Sequence, residues 1–184
     1  TMGGATTICS DKTGTLTQNK MTVVRFYNDG EEQDGHPNMQ PKIKELFTEC
    51  IAIDSSAFVA AVEGKNEPQY IGSSSECALL QMLPQYNIDF KQLRDANPSI
   101  IIHEFSSARK KMSTIIRKDG HFRCYAKGAP DFILRGCTNY LTKEGEVKPL
   151  SEEIRHQYLD QIGRFADQSL RTMLMAYKEL ESSE

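Results

Sequence analysis

Lys118-Asp119-Gly120 sits between two runs rich in β-branched and aromatic residues, MSTIIR at 112–117 and HFRCYAK at 121–127. Asp-Gly accepts the positive φ angles that a two-residue turn between antiparallel strands demands, so the stretch predicts a β-hairpin. That hairpin commits the chain to an antiparallel sheet. Helical and strand patterns follow one another without the strict alternation of a βαβ protein, so the fold class expected is α+β, an antiparallel sheet flanked by helices.

Helical spacing is clearest at 42–54, where Ile43, Leu46, Phe47, Cys50, Ile51 and Ile53 fall on one side. A second helix is expected over 75–86, with Ser73 or Ser74 as its N-cap and Glu76 in its first turn. Pro130 opens a short helix that Gly136 stops, and Ser151-Glu152-Glu153 starts a long amphipathic one through Ile154, Tyr158, Ile162 and Phe165. Strands are expected at 100–105, after the Asn97-Pro98 loop, and at 170–177, with Arg171 at the opening of the latter. A further strand at 21–27 ends at Asn28-Asp29-Gly30, and the polar stretch 31–40 reads as a mobile surface loop.

One run stands apart. Residues 5–10 form an apolar, β-branched segment with Asp11 at its carboxyl end, followed by the polar loop 13–19. That pattern belongs to a parallel, doubly wound sheet, which sets its reactive groups at strand carboxyl ends. The expected division is therefore 1–22 and 23–184.

A length of 184 residues allows one ordinary domain with a piece of another, and a sizeable core. A net charge of −3 argues against a nucleic-acid partner. The cysteines at 9, 50, 77, 124 and 137 are odd in number and form no C-x-x-C pair, which argues for a reducing compartment and against a disulfide scaffold or zinc site. They are expected as small core fillers. His36, His103, His121 and His156 show no ligand spacing and are expected on the surface. No run of about 18 apolar residues or signal-like start occurs.

Asp11 invites a specific chemistry. A carboxylate can attack a phosphoryl group, provided that Mg²⁺ on hard oxygen ligands neutralises the developing charge. Lys12 adds positive charge, Gly14 lets backbone approach a phosphate, and Thr13 and Thr15 offer hydroxyl and backbone partners. Further along, Phe105 either closes the core at a strand end or stands out to stack on a flat base. Arg109, Lys110 and Lys111 are either a solvated cluster or a triphosphate contact. Lys127-Gly128-Ala129-Pro130 is either a plain strand-to-helix turn or a close backbone approach with a lysine reaching over it. Glu76 suits the positive end of a helix, and Arg171 suits a surface carboxylate or a phosphate.

DKTGTLT, residues 11–17, matches the phosphorylation motif of the P-type ATPases at every position. IGSSSECALL, FSSARKKMST, YAKGAPDFIL and SLRTMLMAYKEL resemble the nucleotide-site segments of that family's calcium-transporting branch, above all the plasma-membrane type of calcium pump. They occur in the family's order. The resemblance implies a nucleotide-binding domain preceded by one strand of a haloacid-dehalogenase-like phosphorylation domain. It implies ATP and Mg²⁺ as cofactors, Asp11 as phosphate acceptor, and Asp11 and Thr13 as metal contacts. It makes Glu76 an acceptor for the adenine amino group and Phe105 the stacking ring. Lys110 reaches the nucleotide, Met112 lines the pocket, Lys127 lies deep in it with Gly128 and Ala129 near the base, and Arg171 meets phosphate. Ser75 stands where many relatives have Thr, and Asp131 where many have Glu.

The implied parent is a membrane pump with its nucleotide site on the cytoplasmic face, in the plasma membrane or an internal calcium store. Its phosphorylation, actuator and transmembrane domains would be this chain's partners. The segment itself is expected to be soluble and monomeric, binding ATP or ADP without turnover, since the family's TGD and GDGxND motifs do not occur here. Two alternatives use the same residues: a free-standing phosphatase or phosphotransferase of haloacid-dehalogenase type, disfavoured by Thr13 where a second Asp is usual, and a non-catalytic interaction module docking through 31–40.

Overall fold

The computed structural model describes residues 9–11, 17–60 and 69–180. The strand expected at 5–10 lies outside these residues apart from its last two positions, which are not in a strand, and Thr13 lies outside them too.

β1 (Arg25–Asn28) and β2 (Glu31–Asp34) form an antiparallel hairpin. Asp29 (φ 49°) and Gly30 (φ 78°) supply the positive angles of its turn. The strand thus begins at Arg25 rather than Met21, and the stretch 31–40 is not a loop throughout. A polar strand forms because the turn fixes the register and Arg25 ties the pair together, reaching Glu32 at 3.2 Å and Asp34 at 3.0 Å.

α1 (Pro41–Ile53) is the expected helix and buries Ile43, Leu46, Cys50, Ile51 and Ile53. β3 (Phe58–Ala60) and β4 (Gln69–Ile71) pair as a short ribbon. α2 (Ser74–Leu80) is capped by Ser73, whose hydroxyl accepts from the Glu76 amide at 3.3 Å. The helix expected to reach residue 86 stops early, and a separate 3-10 turn, Leu83–Tyr86, carries Pro84 near its start. Proline lacks the amide that a continuing α-helix needs. α3 (Phe90–Ala96), capped by Asp89, is too short to show a period in the sequence.

β5 (Ser99–His103), β6 (Lys111–Lys118), β7 (His121–Gly128) and β10 (Leu174–Leu180) make the main sheet, ordered β10-β7-β6-β5 and antiparallel throughout. The expected hairpin is β6–β7, with Asp119 at φ 50° and Gly120 at φ 85°. The closing strand starts at Leu174, so Arg171 precedes it rather than opening it. Between β7 and β10 come α4 (Pro130–Gly136), the ribbon β8 (Asn139–Leu141) and β9 (Val147–Pro149), and α5 (Glu152–Asp167). Ser151 caps α5, accepting from the Ile154 amide at 3.3 Å.

The core gathers around Ile51, Leu80, Leu83, Ile116 and Tyr125, all excluded from solvent. Cys50 belongs to it, but Cys9 is exposed and the other three thiols are half-buried, so core filling describes only part of the cysteines. All four histidines lie on the surface. α5 clasps the first hairpin: the Tyr158 hydroxyl accepts from the Asp29 amide (3.3 Å), its ring meets Tyr27 edge-on at 5.4 Å, and Gln161 donates to Glu32 at 2.8 Å.

Arg94 of α3 fixes the segment after α1. Its guanidinium donates to the carbonyls of Ala52 (2.6 Å), Ser55 (3.2 Å) and Ala57 (2.8 Å). Arg94→Ala leaves three half-buried acceptors short of donors and is expected to cost about 2–3 kcal/mol, read as a lower urea midpoint at unchanged slope. An unchanged midpoint would show that these bonds are replaced by water without loss.

Candidate functional site

The sheet register gathers most of the singled-out residues at one end. Phe105 follows the carboxyl end of β5, and Lys110 and Met112 flank the amino end of β6. Lys127 and Gly128 close β7, and Arg171 precedes the amino end of β10. Met112 pairs with Lys127, Lys127 with Met175, and Gly128 with Leu174. Antiparallel order therefore turns four segments scattered over 105–171 into one row.

Glu76 joins this row from α2. The Lys127 ammonium, 3% exposed, bonds Glu76 Oε1 at 2.9 Å and lies 3.7 Å from the Met112 sulfur. Ser56 adds two donors to the same carboxylate, its amide at 3.3 Å and its hydroxyl at 2.9 Å. Burial pushes the Glu76 carboxyl up, but the Lys127 charge and the bonds from Lys127 and Ser56 more than offset it, leaving the group below its ordinary value.

Phe105 is 59% exposed on an organised loop. Arg109 folds back onto the Glu104 carbonyl and the Ser106 hydroxyl, and the Lys110 amide donates to the Ser106 carbonyl at 2.8 Å. Arg109 is thus engaged in its own loop, while Lys110 is exposed with φ at 56°. A non-glycine residue in the left-handed region stores strain, which clusters at ligand sites. Gly128 also meets a packing demand within the sheet. A Cβ there would come within 2.3 Å of the Lys110 carbonyl oxygen and 2.6 Å of the Lys111 Cα, so the missing side chain is consumed by strand contact. The same Lys110 carbonyl accepts from the Ala129 amide at 2.9 Å.

Asp11 is exposed, and among the described residues it makes no hydrogen bond or ion pair with this cluster. Among those residues no group of three or more His, Cys, Asp or Glu could hold a metal ion. A concavity of about 440 Å³ lies elsewhere, lined by Phe26, Gln33, Asn38, Ile43 and Lys143, and holds none of the candidate residues. Three participants escaped the sequence reading: Ser56, Arg94 and Asp54. The only sequence signal for Asp54 is a carboxylate set directly after the apolar run Cys50-Ile51-Ala52-Ile53.

A row of aromatic, cationic and carboxylate groups at one end of an antiparallel sheet flanked by helices is the make-up of an α+β ligand-binding domain. The chain belongs to the family described as P-type ATPase, cytoplasmic domain N, which matches residues 42–184. It is 40% identical over its whole length to the calcium-transporting ATPase PAT1 of Dictyostelium discoideum, and 37% identical to the human plasma membrane calcium-transporting ATPase 4. It is also 37% identical, over 99% of its length, to the rat plasma membrane calcium-transporting ATPase 3. The chain spans 17%, 16% and 15% of these relatives respectively. Among the described residues no helix is long and apolar enough to cross a membrane.

Proposed function

We propose that this chain is the ATP-holding part of a P-type calcium pump, with residues 1–22 belonging to the phosphorylation domain and 23–184 to the nucleotide domain. The observation that carries this reading is the sheet-end row, with Lys127 and Glu76 paired at its buried end and Phe105 exposed at the other. Phe105 stacks on the base, Glu76 accepts from its amino group, and Lys127, Gly128 and Ala129 back it beside Met112. Lys110 and Arg171, both exposed, take the phosphates. In the complete pump an Asp11 carboxylate oxygen attacks the γ-phosphorus, the bond to the β-bridging oxygen breaks, and ADP leaves. Asp11 and Thr13 would contribute oxygens to a Mg²⁺ ion, which would neutralise phosphate charge when bound, with its remaining ligands supplied from elsewhere in the pump. The chain alone binds ATP or ADP without turnover, while calcium movement across the plasma membrane or an internal store belongs to the whole pump.

The test is a titration with a fluorescent ATP analogue of the chain, Phe105→Ala and Lys127→Ala, each shown by circular dichroism to be folded. Saturable binding is expected, weakened about tenfold by loss of the stacking ring and further by loss of Lys127. Phe105 is exposed, so its removal leaves the fold intact and reads the pocket alone. Equal binding by all three proteins would overturn the assignment.

A further inference from the structure

The Lys127–Glu76 pair has a third member that the nucleotide reading leaves unused. Asp54, which ends α1, is wholly buried. Its Oδ1 accepts from the Thr114 hydroxyl at 2.8 Å, and its Oδ2 has no hydrogen-bond partner. Among the described residues, the other buried carboxylates are not left that way: Glu49, also buried, is bonded by Lys118, Arg123 and Tyr125. Thr114 lies two residues along β6 from Met112, on the same face, and Met112 pairs across the sheet with Lys127. Asp54 is thereby set one step behind the Lys127 ammonium. An ammonium carries three protons, and Glu76 and the Met112 sulfur account for two. The cluster thus holds one spare donor and one spare acceptor that are not bonded to each other.

We propose that Asp54 is a positioning residue of the nucleotide pocket: it gives Lys127 a second counter-charge, toward which the ammonium turns when a base engages Glu76. The inference rests on the nucleotide reading above. Without such a residue, drawing Glu76 toward a ligand would strand a buried cation, and the closed ion pair would resist the base. A purely structural role would be met as well by asparagine, which keeps the Thr114 bond and buries no charge. Burial drives the Asp54 carboxyl up to about 6, against the pull of the Lys127 charge, the Thr114 hydroxyl and the Lys127 backbone amide, with Glu76 adding to the rise. Other titratable groups that weigh on this cluster are Cys50 of α1 and Cys124 of β7, which face Asp54, and Arg94 of α3 and Cys77 of α2, which face Glu76.

Asp54→Asn in the full chain, titrated with the fluorescent ATP analogue, tests this. At neutral pH the variant is expected to bind about five- to tenfold more weakly than the parent chain, and its unfolding midpoint to be equal or higher. The gap should close as pH falls through about 6, because the parent Asp54 then becomes neutral too. A simply structural role, which asparagine meets as well, would leave both the affinity and the pH profile of binding unchanged. Thr114→Val, which frees Oδ1 without changing charge, is expected to weaken binding about threefold and gives the same answer should Asp54→Asn fail to fold. Unchanged affinity in these variants, while Phe105→Ala binds weakly, would overturn the role of Asp54 and leave the pocket standing. Unchanged affinity in Phe105→Ala as well would overturn both.

Discussion

Lys127→Ala is expected to cost the fold about 3–5 kcal/mol at neutral pH, the largest loss of any single change considered for this chain. The substitution does more than delete an ion pair. It leaves Glu76, 8% exposed, and Asp54, wholly buried, without the ammonium that both draw on. The loss should depend on pH with a definite sign. In the parent chain Glu76 is held below its ordinary value, so its contribution is present at neutral pH and fades as pH falls through the folded-state value. In the variant both carboxyls are pushed up by burial, so their penalty is present at neutral pH and is relieved as they take up protons. Both effects shrink the difference on acidification. Urea unfolding at neutral pH and again at about pH 5 measures it; a deficit that stays constant, or grows in acid, would show that the two carboxylates do not depend on Lys127.

The second large effect belongs to a residue without a side chain. Gly128→Ala is expected to cost about 3 kcal/mol, at the upper end for overpacking, because what it meets is backbone that cannot rotate away. The new methyl would fall 2.3 Å from the Lys110 carbonyl oxygen and 2.6 Å from the Lys111 Cα. Gly136→Ala is the matched control: it ends α4 with nothing within 4 Å of its would-be Cβ. Its unfolding midpoint should hold or rise. Equal midpoints for the two variants would show that β6 and β7 can part at that end without penalty.

Both effects arise from tertiary placement, which marks what the sequence reveals and what it does not. The β6–β7 hairpin was readable because Asp119-Gly120 encodes its own turn. α1 and α5 were readable because their periodicity runs over three or more turns. β2 was not, since Glu31-Glu32-Gln33-Asp34 has no apolar alternation and is held by a turn and by Arg25. β3, β4, β8 and β9 are three residues each, too short to show a period. In the site, the resemblance to the P-type ATPases groups Phe105, Lys127 and Arg171, whose own sequence surroundings leave their roles open, and the register brings their segments to one sheet end. Asp54 and Ser56 stay hidden because little local distinguishes them beyond the apolar run before Asp54; their meaning comes from a strand and a helix that arrive later in the chain. Gly128 carries a second constraint that its sequence neighbours do not show, the close approach of the Lys110 and Lys111 backbone.

The clasp between Tyr158 and the β1–β2 hairpin has a consequence of its own. Its contacts join residues 129 and 130 positions apart, whereas the β6–β7 turn joins residues that are almost adjacent. Closing so long a loop costs chain entropy that only an already formed interior can offset. The order of assembly is thereby written into the topology. The β6–β7 hairpin is therefore expected to organise early and the first hairpin to latch onto α5 late, so that substitutions at Tyr158 should speed unfolding more than they slow folding.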